Sequence, residues 1–141
     1  RTSVDLFTGP DHHSSSVLEP TLHRDIFPSI EFSGSQSVPS MSLDALAAMA
    51  PAPPDLLWLD LQGFELEVLK SGGLKTLQSS RFLHIEVSRL SMYRSAPIYS
   101  DVIAFLETRG FDLVDLRMPA NFGNALFINR HPSAEAVIAK Q

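Results

Sequence analysis

The sequence predicts a single α/β domain whose sheet is mostly parallel and is closed by an antiparallel C-terminal hairpin. Three observations carry this expectation. Leu56-Leu57-Trp58-Leu59-Asp60-Leu61 is a nearly continuous apolar run, the signature of a strand covered on both faces. A second such run, Phe82-Leu83-His84-Ile85-Glu86-Val87, follows a stretch of helical periodicity. From Asp55 onward the order is strand, helix, strand, helix, strand, loop, strand, the pattern of crossover units ending in a hairpin.

The elements follow in chain order. Residues 1–54 read as a loop-rich lead-in with short strands and one short helix. Val4-Asp5-Leu6-Phe7 alternates apolar and polar like a short strand, and Gly9-Pro10-Asp11 marks a turn. Ser29 to Met41 alternates loosely around Gly34 and Pro39, as an edge strand or hairpin would. Ser42 suits the N-cap of a short helix, with Asp44 in its favourable first turn and Pro51, Pro53 and Pro54 beyond its end. Residues 55–130 form the expected α/β core. Leu66, Val68 and Leu69 mark a helix from Glu65, interrupted at Gly72-Gly73. Pro97 opens another helix with Ile98, Val102, Phe105 and Leu106 on one stripe, and Gly110 suits the residue just past its end. Phe111 to Leu116 and Ala125 to Ile128 read as the last two strands, joined by the loop from Arg117 to Asn124. Trp58, Phe64, Phe82 and Phe105 are expected in the core. Residues 131–141 are a tail with room for a helical turn.

Composition removes several classes of function. The chain has 141 residues, 44% hydrophobic and 19% charged, with a net charge of −5, room for one domain and one sizeable core. That balance argues against a nucleic-acid binder, which would show a basic stripe, and against docking on anionic lipid. No apolar run approaches the roughly 18 residues of a membrane span. There is no cysteine, so disulfides and thiolate metal sites are excluded; this fits a reducing compartment, and the cytoplasm is the expected location. The chain begins with Arg1, and no charged segment leads into an apolar one as in a signal peptide. A fragment or a processed product is therefore expected.

Ligands of an open parallel sheet gather beyond the carboxyl ends of its strands. Asp60 and Gln62 stand there on the first core strand, spaced by two and so on one side. Gly63 permits a tight exit, and Glu65 falls in the first turn of the next helix. Glu86 and Ser88 occupy the equivalent end of the second strand. If the two strands are neighbours, Asp60 and Glu86 face each other, and two close carboxylates cannot both ionise freely without a cation or hydrogen-bond donors. Each residue also has a plainer role. Glu65 and Asp60 could complement a helix N-terminus, and Glu86 could pair with Arg81 or Arg89. His12-His13 has no third ligand beside it and reads as solvated rather than metal-binding, and His84 as a packed strand histidine. Ser14-Ser15-Ser16 lacks a nucleophile elbow. No phosphate loop and no Gly-x-Gly-x-x-Gly turn is present.

The segment Leu57-Trp58-Leu59-Asp60-Leu61-Gln62-Gly63-Phe64-Glu65-Leu66-Glu67-Val68-Leu69-Lys70 resembles the second half of FkbM-family methyltransferases. That family carries an apolar strand ending Asp-x-x-Gly-x-Glu, then a helix reading Glu-x-x-Val-Leu-Lys-Gly. The likeness continues through Ile85-Glu86-Val87-Ser88, Tyr93, Arg109-Gly110-Phe111 and Leu126-Phe127-Ile128. Upstream it takes in Ser14-Ser15-Ser16-Val17-Leu18 and Ser42-Leu43-Asp44-Ala45-Leu46. The resemblance implies a partial Rossmann-like sheet and S-adenosylmethionine-dependent O-methylation of a hydroxyl on a sugar, glycolipid or secondary metabolite. It implies Asp60 and Gln62 as cofactor-side residues, with Asp60 and Glu86 as catalytic ones. Glu86 would position or deprotonate the acceptor hydroxyl. No resident metal is expected, although a divalent ion at Asp60 and Glu86 is a variant of the same scheme.

The family's opening strand, Gly-rich turn and ribose-binding acid have no counterpart before Val4. The expectation is therefore a C-terminal part of a methyltransferase that binds the cofactor weakly and is inactive alone. The open edge of the Leu57–Leu61 strand would favour self-association. A non-catalytic α/β binding or scaffold module is the alternative.

Overall fold

The computed structural model describes residues 2–9 and 14–132; His12-His13 and the tail beyond Pro132 lie outside the described residues. The elements are β1 (Thr2–Phe7), α1 (Leu22–Ile26), β2 (Ser35–Ser40), α2 (Leu43–Ala47), β3 (Leu56–Leu59), α3 (Glu65–Gly72), α4 (Leu74–Ser79), β4 (Phe82–Ser88), α5 (Tyr99–Glu107), β5 (Phe111–Arg117) and β6 (Phe122–Asn129).

β1 and β2 pair antiparallel, Val4 facing Val38, so the loose alternations at both ends of the lead-in belong to one ribbon. α1 has no counterpart in the expected lead-in. It lacks a side-chain cap and is held from outside: Thr21 N and His23 N both donate to the Met92 carbonyl, at 3.2 and 3.0 Å. Such a short helix has too little propensity signal to read locally, because packing decides it. Ser42 caps α2 as expected, its Oγ accepting from Ala45 N at 3.2 Å.

The core sheet runs β3-β4-β6-β5. β3 and β4 pair in parallel, but β4–β6 and β5–β6 are antiparallel. The expectation of a mostly parallel sheet is corrected accordingly. The closing hairpin is present, but its second strand returns into the gap between β4 and β5 instead of adding to the outside. β3, β4 and β5 still point the same way, and the reversed β6 separates the last two.

A second correction concerns coverage. Leu57, Leu59, Leu83, Ile85, Val87, Ala125 and Phe127 pack against Leu66 and Leu69 of α3, Leu77 of α4, and Val102, Phe105 and Leu106 of α5. All the core helices therefore lie on one face. β3 is buried at alternate residues only: Trp58 is 69% exposed and Leu56 47%. Trp58 is thus not a core residue; it lies on the open face, its ring 4.6 Å from that of His84. Phe64 and Phe82 are half-buried, whereas Phe105 is buried as expected.

A smaller apolar cluster ties the lead-in to the loop after β4. Met92, Tyr93 and Ala96 are buried against Leu18, Ile26, Phe27, Phe32 and Leu90. This junction sits beyond the carboxyl ends of β3 and β4, where it roofs the candidate site.

Candidate functional site

After β3 the chain turns through residues 60–64 into α3. Gln62 and Gly63 both take positive φ, 52° and 92°. For Gln62 that conformation costs about 1 kcal/mol, and neighbouring groups hold it in place. Ser16 Oγ donates to the Gln62 carbonyl at 2.8 Å and accepts from Leu18 N at 3.0 Å. Glu65 Oε1 accepts from Leu61 N at 2.7 Å and Gly63 N at 3.2 Å. A Cβ on Gly63 would lie 3.0 Å from Ala96 Cβ and 3.2 Å from Tyr93 Cδ2, so the close roof as well as the backbone requires glycine. Glu65 is therefore a buried clasp for the turn that precedes α3.

The turn delivers the Gln62 amide between two carboxyl groups. Its Nε2 donates to Asp60 Oδ1 at 2.8 Å and to Glu86 Oε2 at 3.0 Å. Its Oε1 accepts from the Tyr93 hydroxyl at 3.0 Å, and that hydroxyl also lies 3.1 Å from the Ser14 carbonyl oxygen. Parallel pairing of β3 with β4 aligns Leu59 with Ile85, which puts Asp60 and Glu86 at matching strand ends. No ion pair to Glu86 from Arg81 or Arg89 forms among the described residues; its partners are Gln62 and Asp60.

One carboxyl oxygen from each of Asp60, Glu65 and Glu86 lies within 4.8 Å of the others. This spacing is within reach of a single hard cation. Glu65 Oε1 is nevertheless engaged by two backbone N–H groups, and the Gln62 N–H donors sit between Asp60 and Glu86. The amide thus supplies the donors that two facing carboxyl groups require.

Burial, then the charges of Asp60 and Glu65, then a hydrogen bond with Asp60 push the Glu86 carboxyl up to about 8. Burial also raises Glu65, against the pull of its backbone donors. Burial, followed by the charges of Glu86, Glu65 and Asp60, raises Tyr93, which therefore stays a phenol and a donor.

A cavity of about 280 Å³ opens on this cluster. Its lining combines polar residues, Ser14, Gln62, Glu65, Glu86 and Ser88, with apolar ones, Phe27, Ile30, Leu90, Met92 and Phe122. Asp60 is exposed and stands outside the cavity, linked to it through the Gln62 amide. Of the residues expected at the site, the structure brings Asp60, Gln62 and Glu86 into one hydrogen-bonded group, with Gln62 and Glu86 lining the cavity. Sequence reasoning gave no site role to Tyr93, and took His23 only as the end of a loop, around His12 to His23, expected to bear on acceptor specificity. Tyr93 appeared only as part of the family likeness, and its link to Gln62 spans 31 positions. A lone histidine in a loop-rich stretch carries no periodicity, yet His23 is 5% exposed in the cavity wall. Phe27, Phe32 and Tyr93 surround it at ring distances of 5.1, 5.4 and 5.3 Å.

Residues 3–113 match the family described as Methyltransferase FkbM domain. A stretch of 81 residues, 57% of the chain, is 35% identical to 2-O-methyltransferase NoeI of Sinorhizobium fredii (strain NBRC 101917 / NGR234). That match spans about one third of the relative's length (33%). No solved structure matches the chain significantly.

Proposed function

We propose, from the premise that this chain belongs to the FkbM methyltransferase domain family, that it forms the acceptor side of a pocket for S-adenosylmethionine-dependent O-methylation. The acceptor is a small molecule or glycan, its hydroxyl carried by a sugar, glycolipid or secondary metabolite. The relative's name, a 2-O-methyltransferase, supports an oxygen acceptor. The observation that carries the reading is Glu86: a half-buried carboxyl, raised to about 8, in the lining of a cavity of mixed polar and apolar character.

A base tuned near the working pH is what deprotonation of an alcohol in the transition state needs. Glu86 would take the proton from the acceptor hydroxyl, while the methyl group passes to that oxygen, its bond to sulfur breaks and the neutral thioether departs. Gln62 holds Glu86 in place, and Asp60, on the exposed side of the same amide, completes the acidic group. S-adenosylmethionine supplies a methyl group on a cationic sulfur. The acidic cluster suits a positive charge, and Asp60 and Gln62 are the residues that would hold it. Alignment of the acceptor is chiefly a positioning task, which the apolar wall around Phe122 and Met92 serves.

We also infer that the 141-residue chain by itself holds the cofactor weakly and turns over poorly. In support, the described cavity draws on the ends of β3 and β4 and the first residue of β6, and the chain matches about a third of its relative's length. Among the described residues no helix is long and apolar enough to cross a membrane, and the cysteine-free composition supports a cytoplasmic setting.

The test is transfer of a labelled methyl group from S-adenosylmethionine to a panel of sugars and glycolipids by the full-length protein. The expected result is transfer to a hydroxyl, reduced about a hundredfold by Glu86→Gln. Transfer at an unchanged rate in that variant would remove Glu86 as the base. No transfer to any hydroxyl would leave the scaffold-module reading.

A further inference from the structure

Most polar side chains that line the cavity already have partners. Both ends of the Gln62 amide, Glu65 Oε1, Glu86 Oε2, Ser88 Oγ and the Tyr93 hydroxyl are each hydrogen-bonded. His23 differs. It stands in the cavity wall, 5% exposed, and its Nδ1 is buried without a hydrogen-bond partner. Its backbone is held in place, His23 N donating to the Met92 carbonyl at 3.0 Å. The rings of Phe27, Phe32 and Tyr93 pack around the imidazole. These rings give a nitrogen nothing to bond, and a water among them would lack the polar partners that hold buried water. Burial keeps the imidazole below its ordinary pKa, so at neutral pH it offers one donor and one acceptor. A polar group left unpaired in apolar surroundings is costly. A ligand entering the cavity is the partner that this wall leaves room for.

We propose that His23 is an acceptor-binding residue: its imidazole hydrogen-bonds a hydroxyl of the acceptor other than the one that is methylated, and so selects among polyhydroxylated rings. Tyr93 joins this position to the reacting group, its ring 5.3 Å from the imidazole and its hydroxyl 3.0 Å from Gln62 Oε1. No hydrogen bond runs from His23 to Glu86 among the described residues, whose partners are Gln62 and Asp60. The imidazole is therefore separate from the carboxyl that takes the proton. A hydroxyl both donates and accepts, so it matches a ring nitrogen whether or not that nitrogen carries the proton. A site built to hydrogen-bond a hydroxyl discriminates against the analogue that lacks it, because its own polar group is then left unpaired. This inference rests on the cavity being the acceptor side, but it concerns binding alone, so it can fail or succeed separately from methyl transfer.

The probes are methyl glucoside, methyl galactoside and methyl mannoside, with the monodeoxy analogues of whichever binds best. Each is titrated against the full-length protein, with binding read by ligand-observed NMR. In the parent, removing the hydroxyl that meets His23 should weaken binding about tenfold. His23→Phe keeps an aromatic ring in place; it should bind the intact sugar about tenfold less well, and that one deoxy penalty should vanish. His23→Asn, which keeps a polar atom near the Nδ1 position, should recover most of it. The melting temperature of H23F should not fall, because an apolar ring replaces a buried unpaired nitrogen. A fall with every deoxy penalty kept overturns the proposal, since His23 would then only pack. Parent-like affinity in H23F, or no binding of any pyranoside, overturns it equally. Should H23F not fold, the imidazole nitrogen resonances of the parent decide, with His23 assigned from H23N. They should shift when the sugar is added, and no shift overturns the proposal. If methyl transfer is absent yet the deoxy penalty vanishes in H23F, the role of His23 stands and the methyltransferase reading falls; transfer with the penalty kept gives the reverse.

Discussion

The Tyr93 hydroxyl donates across 3.0 Å to Gln62 Oε1, and so favours the orientation of that amide whose nitrogen the two carboxyl groups meet. With Oε1 engaged, Nε2 is turned toward Asp60 and Glu86. If the amide flipped, a carbonyl oxygen would face two acids, and the ionised form of Glu86 would lose a donor. Tyr93→Phe should therefore move the pH midpoint of methyl transfer upward and slow the reaction about tenfold at neutral pH. A pH–rate profile of the full-length protein checks this; an unchanged midpoint would mean that Tyr93 only packs.

Glu86 links pH to stability in the direction opposite to activity. Its carboxyl is raised to about 8 in the folded protein by burial and by neighbouring acids, whereas an unfolded glutamate titrates near pH ~4.3. A raised carboxyl favours folding fully while protonated, below the unfolded value. The contribution is lost as pH rises from there through the folded value. The melting temperature of Glu86→Gln should thus gain on the parent between roughly pH 5 and 8 and level off above. Over the same range the parent's methyl-transfer rate should rise. Parallel melting curves for the two proteins would contradict the assignment.

Glu65 is expected to matter for folding more than for chemistry. Glu65→Ala strands Leu61 N and Gly63 N in a part-buried turn, a loss of about 2 kcal/mol. Urea unfolding measures it. Glu65→Gln keeps an acceptor oxygen for the same two donors and should lose less, so equal losses in both variants would show that the clasp is not what holds the turn.

Cofactor binding separates the chain from the longer protein. Calorimetric titration of the 141-residue chain with S-adenosylmethionine should show affinity weaker than about 100 μM, a binding free energy less favourable than about −5.5 kcal/mol. Micromolar binding would mean that the residues around Asp60 and Gln62 suffice.

β3 is an edge strand of the core sheet among the described residues, and an unpaired edge invites another chain. The isolated chain should therefore self-associate with concentration in light scattering, and Trp58→Lys should shift it toward monomer. A clean monomer at every concentration would refute edge pairing.

What could be read in advance depended on how local the cause was. Ser42 as a cap and Gly110 as a left-handed residue (φ 82°) follow from their own backbone needs. The Asp60–Glu86 approach was readable because consecutive apolar strands around a helix pair in parallel, which aligns their ends. The exposure of Trp58 was not readable, since an all-apolar strand looks the same whether a second layer covers it or not. The position of β6 was hidden for a similar reason: a hairpin signal says that two strands pair, not which neighbour the second one finds. The Tyr93–Gln62–Ser14 contacts join three distant segments through one left-handed residue, and no spacing announces that.

The open face of the sheet also carries a built-in optical reporter. Trp58 is the sole tryptophan of the chain and sits against His84 on that face. Its fluorescence should be red-shifted and accessible to a quencher when the face meets water. It should turn blue and become shielded once another polypeptide lies over it. Emission from this one indole would therefore register assembly of the sheet face without any added label.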